Sequence, residues 1–227
     1  MSERFRVLFV IYPGMTQLDF TGPHQFLSRL PGGEVLVASP AGGAVPADGL
    51  VFGDTLAIAA VDRCDLICIP GGPGATVVAQ DQDFIAEVRR LAAGARYVTS
   101  VCTGAFVLGA AGLLKGKRAT THWAWHDLLP LFGAIPVAER VVRDGNVITG
   151  GGVTAGIDFA LTVLAEIAGE EAAQAVQLGL EYAPAPPFEA GSAATAPPGV
   201  LTRVQAVNAR MAPKRRAEAE EAAARLG

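Results

Sequence analysis

The sequence predicts an α/β protein with a mostly parallel sheet and helices on both faces. Uninterrupted apolar runs, such as residues 6–12 and 65–69, end at proline and glycine turns, as buried parallel strands do. Helical patterns separate these runs, and such alternation builds a sheet covered on both faces. Residues 97–114 add a strand, a sharp turn at Cys102 and a helix. That order of elements is typical of a nucleophile elbow.

Apolar periodicity and turn residues predict the elements along the chain. The predicted strands are residues 6–12, 34–38, 65–69, 97–101 and 118–121, with hairpins at 42–52 and 141–149. The predicted helices are residues 15–30, 81–93, 103–111, 124–132, 157–168, 171–181 and 200–226, the last broken at Pro213. We expect one domain over 1–183, and then a Pro/Ala-rich arm and C-terminal helix over 184–227. This helix is interpreted as solvated or as an arm against a partner subunit.

Composition limits the possible functions. The chain has 227 residues, 51% of them hydrophobic, and a mean hydropathy of +0.36, which indicates a globular protein. A net charge of −4 gives no basic surface for nucleic acid or anionic lipid. Three cysteines fit a reducing compartment, and the N-terminal apolar stretch is too short for a secretory signal. We therefore expect a cytoplasmic protein that binds neither nucleic acid nor membrane.

Cys102 is the candidate nucleophile. Ser100 and Gly104 flank it closely, and a tight elbow requires small neighbours. The sulfur would stand at a helix N-terminus, where unpaired N–H groups favour an anion. We therefore expect a thiol that is partly ionised near neutral pH. The alternative is a buried structural thiol, the interpretation we give to Cys64 and Cys68.

Asp19 follows the first strand closely enough to reach the crevice that holds Cys102. A carboxyl group beside a thiolate has a raised pKa, because two negative charges compete in one pocket. Asp19 could then donate a proton to substrate or, when ionised, activate water. An N-cap of the first helix is an equally good interpretation.

Gly71 and Gly72 follow another strand, and their N–H groups are candidate oxyanion donors. His122 is a possible base for Cys102, although a half-buried histidine is at least as good an interpretation. His122 and His126 have metal-ligand spacing, but the sequence offers no third ligand nearby, so we predict no metal site.

Five runs together resemble the ThiJ/PfpI superfamily, which is related to class I glutamine amidotransferases. They are VLFVIYPGMTQLDFTGP, DLICIPGGPG, SVCTGAFVLGAAGLLKGKRATTHW, GNVITGGGVTAGID and LGLEYAPAPPF. The resemblance implies a flavodoxin-like three-layer sandwich. Within the superfamily, the chain is most similar to homodimeric bacterial enzymes that hydrate an isonitrile to the N-substituted formamide without a cofactor. The likeness therefore implies a homodimer with an isonitrile substrate.

The resemblance also assigns roles by position. The nucleophile of these enzymes matches Cys102, their essential carboxylate matches Asp19, and a hydroxyl donor matches Thr103. Backbone donors match Gly71 and Gly72. Gly151 and Val153 fall on the segment that lines the substrate pocket.

Other branches differ at these positions. Peptidase-like members carry histidine where this chain has Thr103, and chaperone and glyoxalase-like members carry glutamate in place of Asp19. Amidotransferases need a His-x-Glu pair, which is absent after His122. Related transcription regulators add a helix-turn-helix region that is domain-sized. We therefore expect covalent hydration through a thioimidate on Cys102; a ligand or redox sensor and a glyoxalase-type enzyme are the alternatives.

Overall fold

The computed structural model describes residues 4–226 of the chain. Residues 1–3 of the expected 1–183 domain and residue 227 of the expected 184–227 segment lie outside the described residues. The strands are β1 (Phe5–Val10), β2 (Gly33–Ser39), β3 (Gly43–Ala47), β4 (Leu50–Ala57), β5 (Leu66–Ile69), β6 (Tyr97–Val101), β7 (Arg118–Ala119), β8 (Ile135–Pro136), β9 (Val141–Asp144) and β10 (Val147–Gly150). The α-helices are α1 (Gln17–Leu27), α2 (Ala75–Val78), α3 (Gln82–Gly94), α4 (Ala105–Ala110), α5 (Ala155–Ala168), α6 (Glu170–Gly179) and α7 (Pro198–Ala223). Segments of 3-10 helix cover Ile58–Ala60, Cys102–Gly104 and Trp123–Phe132.

Eight strands form the central sheet, in the order β3-β4-β2-β1-β5-β6-β10-β9. The six inner strands run parallel, and the edge strands β3 and β9 pair antiparallel to β4 and β10. The middle strand β5 is buried along its whole length, because helices cover both faces of the sheet. This confirms the predicted flavodoxin-like α/β fold.

The strand order reverses between β1 and β5. The chain moves from β1 through α1 to β2 on one side, and from β5 through α3 to β6 on the other. Since such crossovers are right-handed, α1 and α3 lie on opposite faces, with α1 packed against α5 and α3 against α4. Ligands of open α/β sheets bind at this reversal, outside the carboxyl ends of the strands.

Two predicted elements change form. The strand expected at 118–121 shrinks to β7, which pairs with β8 outside the main sheet. The α-helix expected at 124–132 is a 3-10 segment instead. Pro130 lies inside that segment and has no N–H for an i→i−4 bond.

Helix α7 corrects two expectations. It runs without a break through Pro213, which is exposed together with Ala209, so water can reach the carbonyl that loses its donor. Its C-terminal half is solvated on one side only, because the face that carries Arg215, Ala219 and Ala222 is buried against the body of the protein. Its first half exposes an apolar row, defined here as Val200, Val204, Val207 and Met211.

No helix within residues 4–226 combines the length and the apolar character that a membrane crossing requires.

Candidate active site

Cys102 lies on a strained turn between β6 and α4. Its φ is 55°, a left-handed value that a non-glycine residue adopts only when its surroundings enforce it. The Cys102 N–H donates to the Gly151 carbonyl at 2.9 Å, and the Thr121 hydroxyl donates to the Cys102 carbonyl at 2.8 Å. A side chain at position 104 would overlap the carbonyl of Ile69, which explains the glycine there. The predicted nucleophile elbow is therefore present.

Asp19 contacts the Cys102 thiol from α1. Its carboxyl group is fully buried, and its Oδ2 atom accepts the Gly71 N–H at 3.0 Å. Burial raises the pKa of Asp19 to about 7; the negative charge of Asp48 adds to the rise, and hydrogen bonds from Cys102 and Gly71 oppose it. The pKa of Asp19 is raised, as the sequence predicts, but the main cause is burial and not competition with a thiolate. The N-cap of α1 is Thr16, so the N-cap interpretation of Asp19 is wrong.

The expectation of a thiolate at Cys102 is also wrong for the resting protein. Burial raises the pKa of the thiol well above its usual range, and the neighbouring Asp19 raises it further. The backbone N–H groups of Thr103 and Val153 face the sulfur and only partly oppose this rise in pKa. Only 5% of Cys102 is exposed. The short helix after the turn does not offset this desolvation, so the sulfur rests as a thiol.

The glycine pair after β5 closes the site from one side. The Gly71 N–H donates to Asp19, and the Gly72 N–H donates to the Thr103 hydroxyl at 2.8 Å. The same hydroxyl donates to the Gly72 carbonyl at 3.0 Å. Both N–H groups thus have internal acceptors, which argues against their expected role as oxyanion donors. They hold Asp19 and Thr103 instead.

The segment after β10 brings Gly151 and Val153 to the sulfur. Gly151 holds the Cys102 backbone, and the Val153 N–H points at Sγ. His122 does not reach the thiol: its Nδ1 accepts the Ala124 N–H at 3.3 Å, and its ring lies against Gly152. Burial lowers the pKa of His122, so it is neutral at pH 7. Its expected role as the base for Cys102 has no support in this geometry.

His126 Nε2 lies 3.0 Å from the Thr121 carbonyl and 3.2 Å from the Thr120 hydroxyl. Within residues 4–226, no group of three His, Cys, Asp or Glu side chains lies close enough to hold a metal ion. Burial raises the pKa values of Cys64 and Cys68 to about 12, as structural thiols require.

A cavity of about 420 Å³ borders the elbow. Its walls include Thr121, His122, Arg140, Gly151 and Val153, whereas Cys102 and Asp19 do not line it. The cavity therefore lies next to the reactive pair, separated from the sulfur by the segment after β10.

Two residues of this site received no role from the sequence, although Tyr12 ends a predicted strand at the edge where the ligand crevice was expected. Tyr12 is fully buried at the end of β1, its hydroxyl donates to the Pro70 carbonyl, and burial together with Asp19 and Cys102 raises its pKa. Its place in the first apolar run could have indicated it. Arg215 of α7 is buried over the ring of Trp125. Nothing in the C-terminal sequence pattern distinguishes Arg215 from its exposed neighbours.

The fold and the site together define a flavodoxin-like α/β protein with a cysteine and a buried carboxylic acid in contact at a nucleophile elbow. The chain belongs to the DJ-1/PfpI family, whose sequence profile matches residues 5–166. It is 52% identical over 219 residues to the isonitrile hydratase of Pseudomonas putida, covering 96% of both chains. A ThiJ/PfpI family protein from Pseudomonas syringae has a similar solved structure, with a TM-score of 0.92, 41% identity and coverage of 96% of this chain and 91% of that one. Protein dj-1beta of Drosophila melanogaster is 30% identical over 76% of this chain and 95% of its own.

Proposed function

We propose that this protein hydrates isonitriles to N-substituted formamides, with Cys102 as nucleophile. The observation that carries the proposal is that the buried Cys102 and Asp19 side chains meet beside Gly71, where a Cβ would lie 2.8 Å from Cys102 Cβ and 2.7 Å from Asp19 Oδ2. Such a pair offers a nucleophile and a proton carrier in one place, and the carbon of an isonitrile needs both. The 52% identity to an isonitrile hydratase supports the same choice.

The first step moves one proton through Asp19. The Asp19 carboxylate takes the proton of the Cys102 thiol as the sulfur attacks the terminal carbon of R–NC. The carbon–sulfur bond forms, one carbon–nitrogen π bond becomes a lone pair on nitrogen, and the carbon keeps the lone pair that it already carries. Asp19 then returns the proton to that carbon, which gives the thioimidate R–N=CH–S–Cys102. General base activation of this kind compensates for the raised pKa of the thiol.

The second step adds water. The regenerated Asp19 carboxylate accepts a proton from water as the water oxygen bonds to the thioimidate carbon, and Asp19 then passes this proton to the nitrogen. The tetrahedral adduct then expels the sulfur, which recovers its proton, and R–NH–CHO leaves. The sum is R–NC plus water to the formamide, and every proton comes from water, Cys102 or Asp19. The proposed scheme therefore uses no metal or cofactor.

The backbone N–H groups of Thr103 and Val153 stabilise the charge on sulfur in this scheme. Both already face the sulfur in the resting state, so they need no rearrangement when the negative charge develops. The Thr103 hydroxyl holds Gly72 and thereby fixes the glycine turn beside Asp19. We assign the substituent R to the neighbouring cavity, which borders the reactive pair through Gly151 and Val153.

The test combines product detection with intact-protein mass spectrometry during turnover of an alkyl or aryl isonitrile. We expect formamide as product and a transient adduct heavier by the mass of one isonitrile. Cys102→Ala should lose both, because no other group can form the thioimidate. Cys64→Ala, at a buried thiol outside the site, is the control and should retain turnover. Full hydration by Cys102→Ala would overturn the proposal.

A redox-sensing or ligand-sensing role and a glyoxalase-type role are the alternatives. Sensor thiols are exposed and have a low pKa, whereas burial raises the pKa of Cys102 and leaves it 5% exposed. No contact in the site favours a dicarbonyl substrate over an isonitrile. Protein that is inert to isonitriles but oxidises with peroxide would support the sensor, and turnover of methylglyoxal would support the glyoxalase.

We further propose a cytoplasmic homodimer that does not bind nucleic acid. The negative net charge supports the last point, and the exposed apolar row of α7 supports the dimer.

A further inference from the structure

A buried cation lies on the inward face of α7. Arg215 of α7 is only 9% exposed, and its guanidinium carbon lies 4.4 Å from the centre of the Trp125 ring. Within residues 4–226, no carboxylate forms an ion pair with it and no oxygen accepts a hydrogen bond from it. Arginine is almost never buried unless it is paired, and the Trp125 ring offsets only part of the lost hydration. Arg215 is therefore able to compensate a negative charge that forms nearby.

The neighbouring charges of α7 are already engaged and fix the orientation of the helix. Glu218 accepts a hydrogen bond from the buried Thr76 hydroxyl at 2.6 Å and lies 3.8 Å from Lys214. Arg216 forms an ion pair with Asp127 on the protein surface. These contacts hold the C-terminal half of α7 with its one buried arginine turned inward.

Helix α7 packs against the elements that directly follow the two halves of the site. It contacts α2, which begins just after Gly72, and α4, which begins just after Cys102. It also contacts the 3-10 segment Trp123–Phe132. Arg215 is close enough to Cys102, Tyr12 and Glu218 for their anionic forms to raise its pKa against the lowering by burial.

The remaining ionisable groups around Cys102 carry no positive charge. Asp19 contacts it from α1, Tyr12 faces it from the end of β1, and Asp48 acts on Asp19 from the β3–β4 turn. His122 is neutral, since burial and the charge of Arg215 lower its pKa. Among the described cations, Arg215 is the one with an electrostatic interaction with Cys102.

We propose that Arg215 is a positioning residue for the Cys102–Asp19 pair, and that its guanidinium stabilises the single negative charge which the pair carries when sulfur attacks. The C-terminal helix then completes the site, although it lies outside the 5–166 segment matched by the family profile. The inference rests on the proposed function for the reaction, but the charge itself can be measured without an isonitrile.

The test is the pH dependence of Cys102 alkylation by iodoacetamide, read by peptide mass spectrometry at that cysteine. The full-length protein is compared with Arg215→Met, Arg215→Lys and Arg216→Gln. Methionine keeps an apolar stem over Trp125 and removes the charge, and lysine keeps the charge. Arg216→Gln removes an exposed cation from the same helix and is the matched control. Thermal melts verify that each variant is folded.

The rate should rise with pH and level off near 7, where the pair loses its first proton. In Arg215→Met we expect this break to move up by about 1 pH unit, because loss of a nearby positive charge disfavours the ionised pair. Arg215→Lys keeps a positive charge at the same position, and Arg216→Gln removes only an exposed one. Both variants should therefore keep the break within about 0.3 pH units. A purely structural role would scale the rate without moving the break.

An unchanged break in folded Arg215→Met would overturn the inference. If Arg215→Met does not fold, Arg215→Gln, which also removes the charge, decides by the same measurement: a break moved up by about 1 pH unit would support the inference, and a wild-type break would overturn it. Hydration assays separate the two proposals. A moved break in a protein that hydrates no isonitrile contradicts the proposed function alone. Normal hydration together with an unmoved break contradicts the role of Arg215 alone.

Discussion

At the scale of single residues, Asp19 determines how the site responds to pH. Burial raises its pKa to about 7, so the carboxyl group is half ionised near neutrality. The reactive form of the site is the pair with one proton removed, whichever of the two groups holds the remaining proton. This form becomes abundant only as pH rises through about 7.

We therefore predict that kcat/KM for an isonitrile rises about tenfold per pH unit below neutrality and levels off near pH 7. Asp19→Asn should lower kcat/KM by about 100-fold or more and remove the break, since the amide cannot carry the proton. Initial rates between pH 5 and 9 provide the measurement. A variant with an unchanged rate, or with the same break, would remove Asp19 from proton transfer.

The same pKa predicts a stability effect. Asp19 has a pKa of about 7 when folded and 3.8 as its ordinary value. Because the folded pKa is raised, the unfolded chain loses this proton first, so stability falls as pH rises from about 4 to 7 and is level above. About 3 pKa units correspond to roughly 4 kcal/mol.

Asp19→Asn has no carboxyl group to ionise at this position, so it should not lose stability in this way as pH rises. The free energy of unfolding of the variant minus that of wild type should therefore increase by up to about 4 kcal/mol between pH 4 and pH 8. Urea denaturation at both pH values measures it. A difference between the two proteins that does not change with pH would contradict a raised pKa at Asp19.

Sequence reasoning located Cys102 and Asp19 because both follow strand ends, and strand ends of a parallel sheet converge. The sequence-based prediction of an ionised sulfur was wrong. The turn and its small neighbours are local features, whereas the burial that raises the thiol pKa depends on side chains from distant elements. Arg215 was not predicted for the same reason, because only the packing of α7 makes it buried while Arg216 stays exposed.

At the scale of elements, the glycine turn between β5 and α2 fixes the distance between the two reactive groups. A Cβ on Gly71 would lie 2.7 Å from Asp19 Oδ2 and 2.8 Å from Cys102 Cβ. It would also overlap the Thr103 nitrogen, and backbone atoms cannot yield as a flexible side chain can.

Gly71→Ala should therefore destabilise the protein by about 1–3 kcal/mol and lower kcat/KM by about tenfold or more, because it separates Asp19 from the sulfur. Gly53→Ala in β4 is the control, since a Cβ there meets nothing within 4 Å. It should change stability by less than about 0.5 kcal/mol and leave activity intact. Chemical denaturation and initial rates measure both effects; equal behaviour of the two variants would contradict this account of the turn.

The positions of the main elements were predictable, because their periodicity agrees with the fold. Two of the exceptions contain proline. The α-helix expected around Pro130 is a 3-10 segment, whereas Pro213 does not interrupt α7. Sequence alone does not show whether a carbonyl without a donor faces protein or water, and that difference decides the outcome at Pro213.

At the scale of the whole molecule, α7 has two different halves. The C-terminal half packs one face against the body, and the first half carries the apolar row at helical spacing, with its residues 36–55% exposed. Exposed apolar rows of this kind mark protein contacts. We expect that a second copy of the chain covers this row in the proposed homodimer.

Light scattering after gel filtration should give twice the 23.4 kDa of one chain. The double variant Val204→Glu/Val207→Glu should shift the protein toward monomer, because two charges would be buried between the chains. Leu178→Glu, at an apolar residue that is 82% exposed outside the row, should leave the mass unchanged. A double variant that keeps the wild-type mass would place the contact elsewhere.

The left-handed backbone at Cys102 has a consequence for how activity is lost. A peptide cut from residues 97–114 would relax at this residue, since only glycine and asparagine adopt such angles readily. The neighbours that hold the angle, Gly151 and Thr121, come from distant parts of the sequence. Inactivation by mild heat or denaturant can therefore precede collapse of the sheet, and an inactive but fully folded preparation need not have suffered chemical damage.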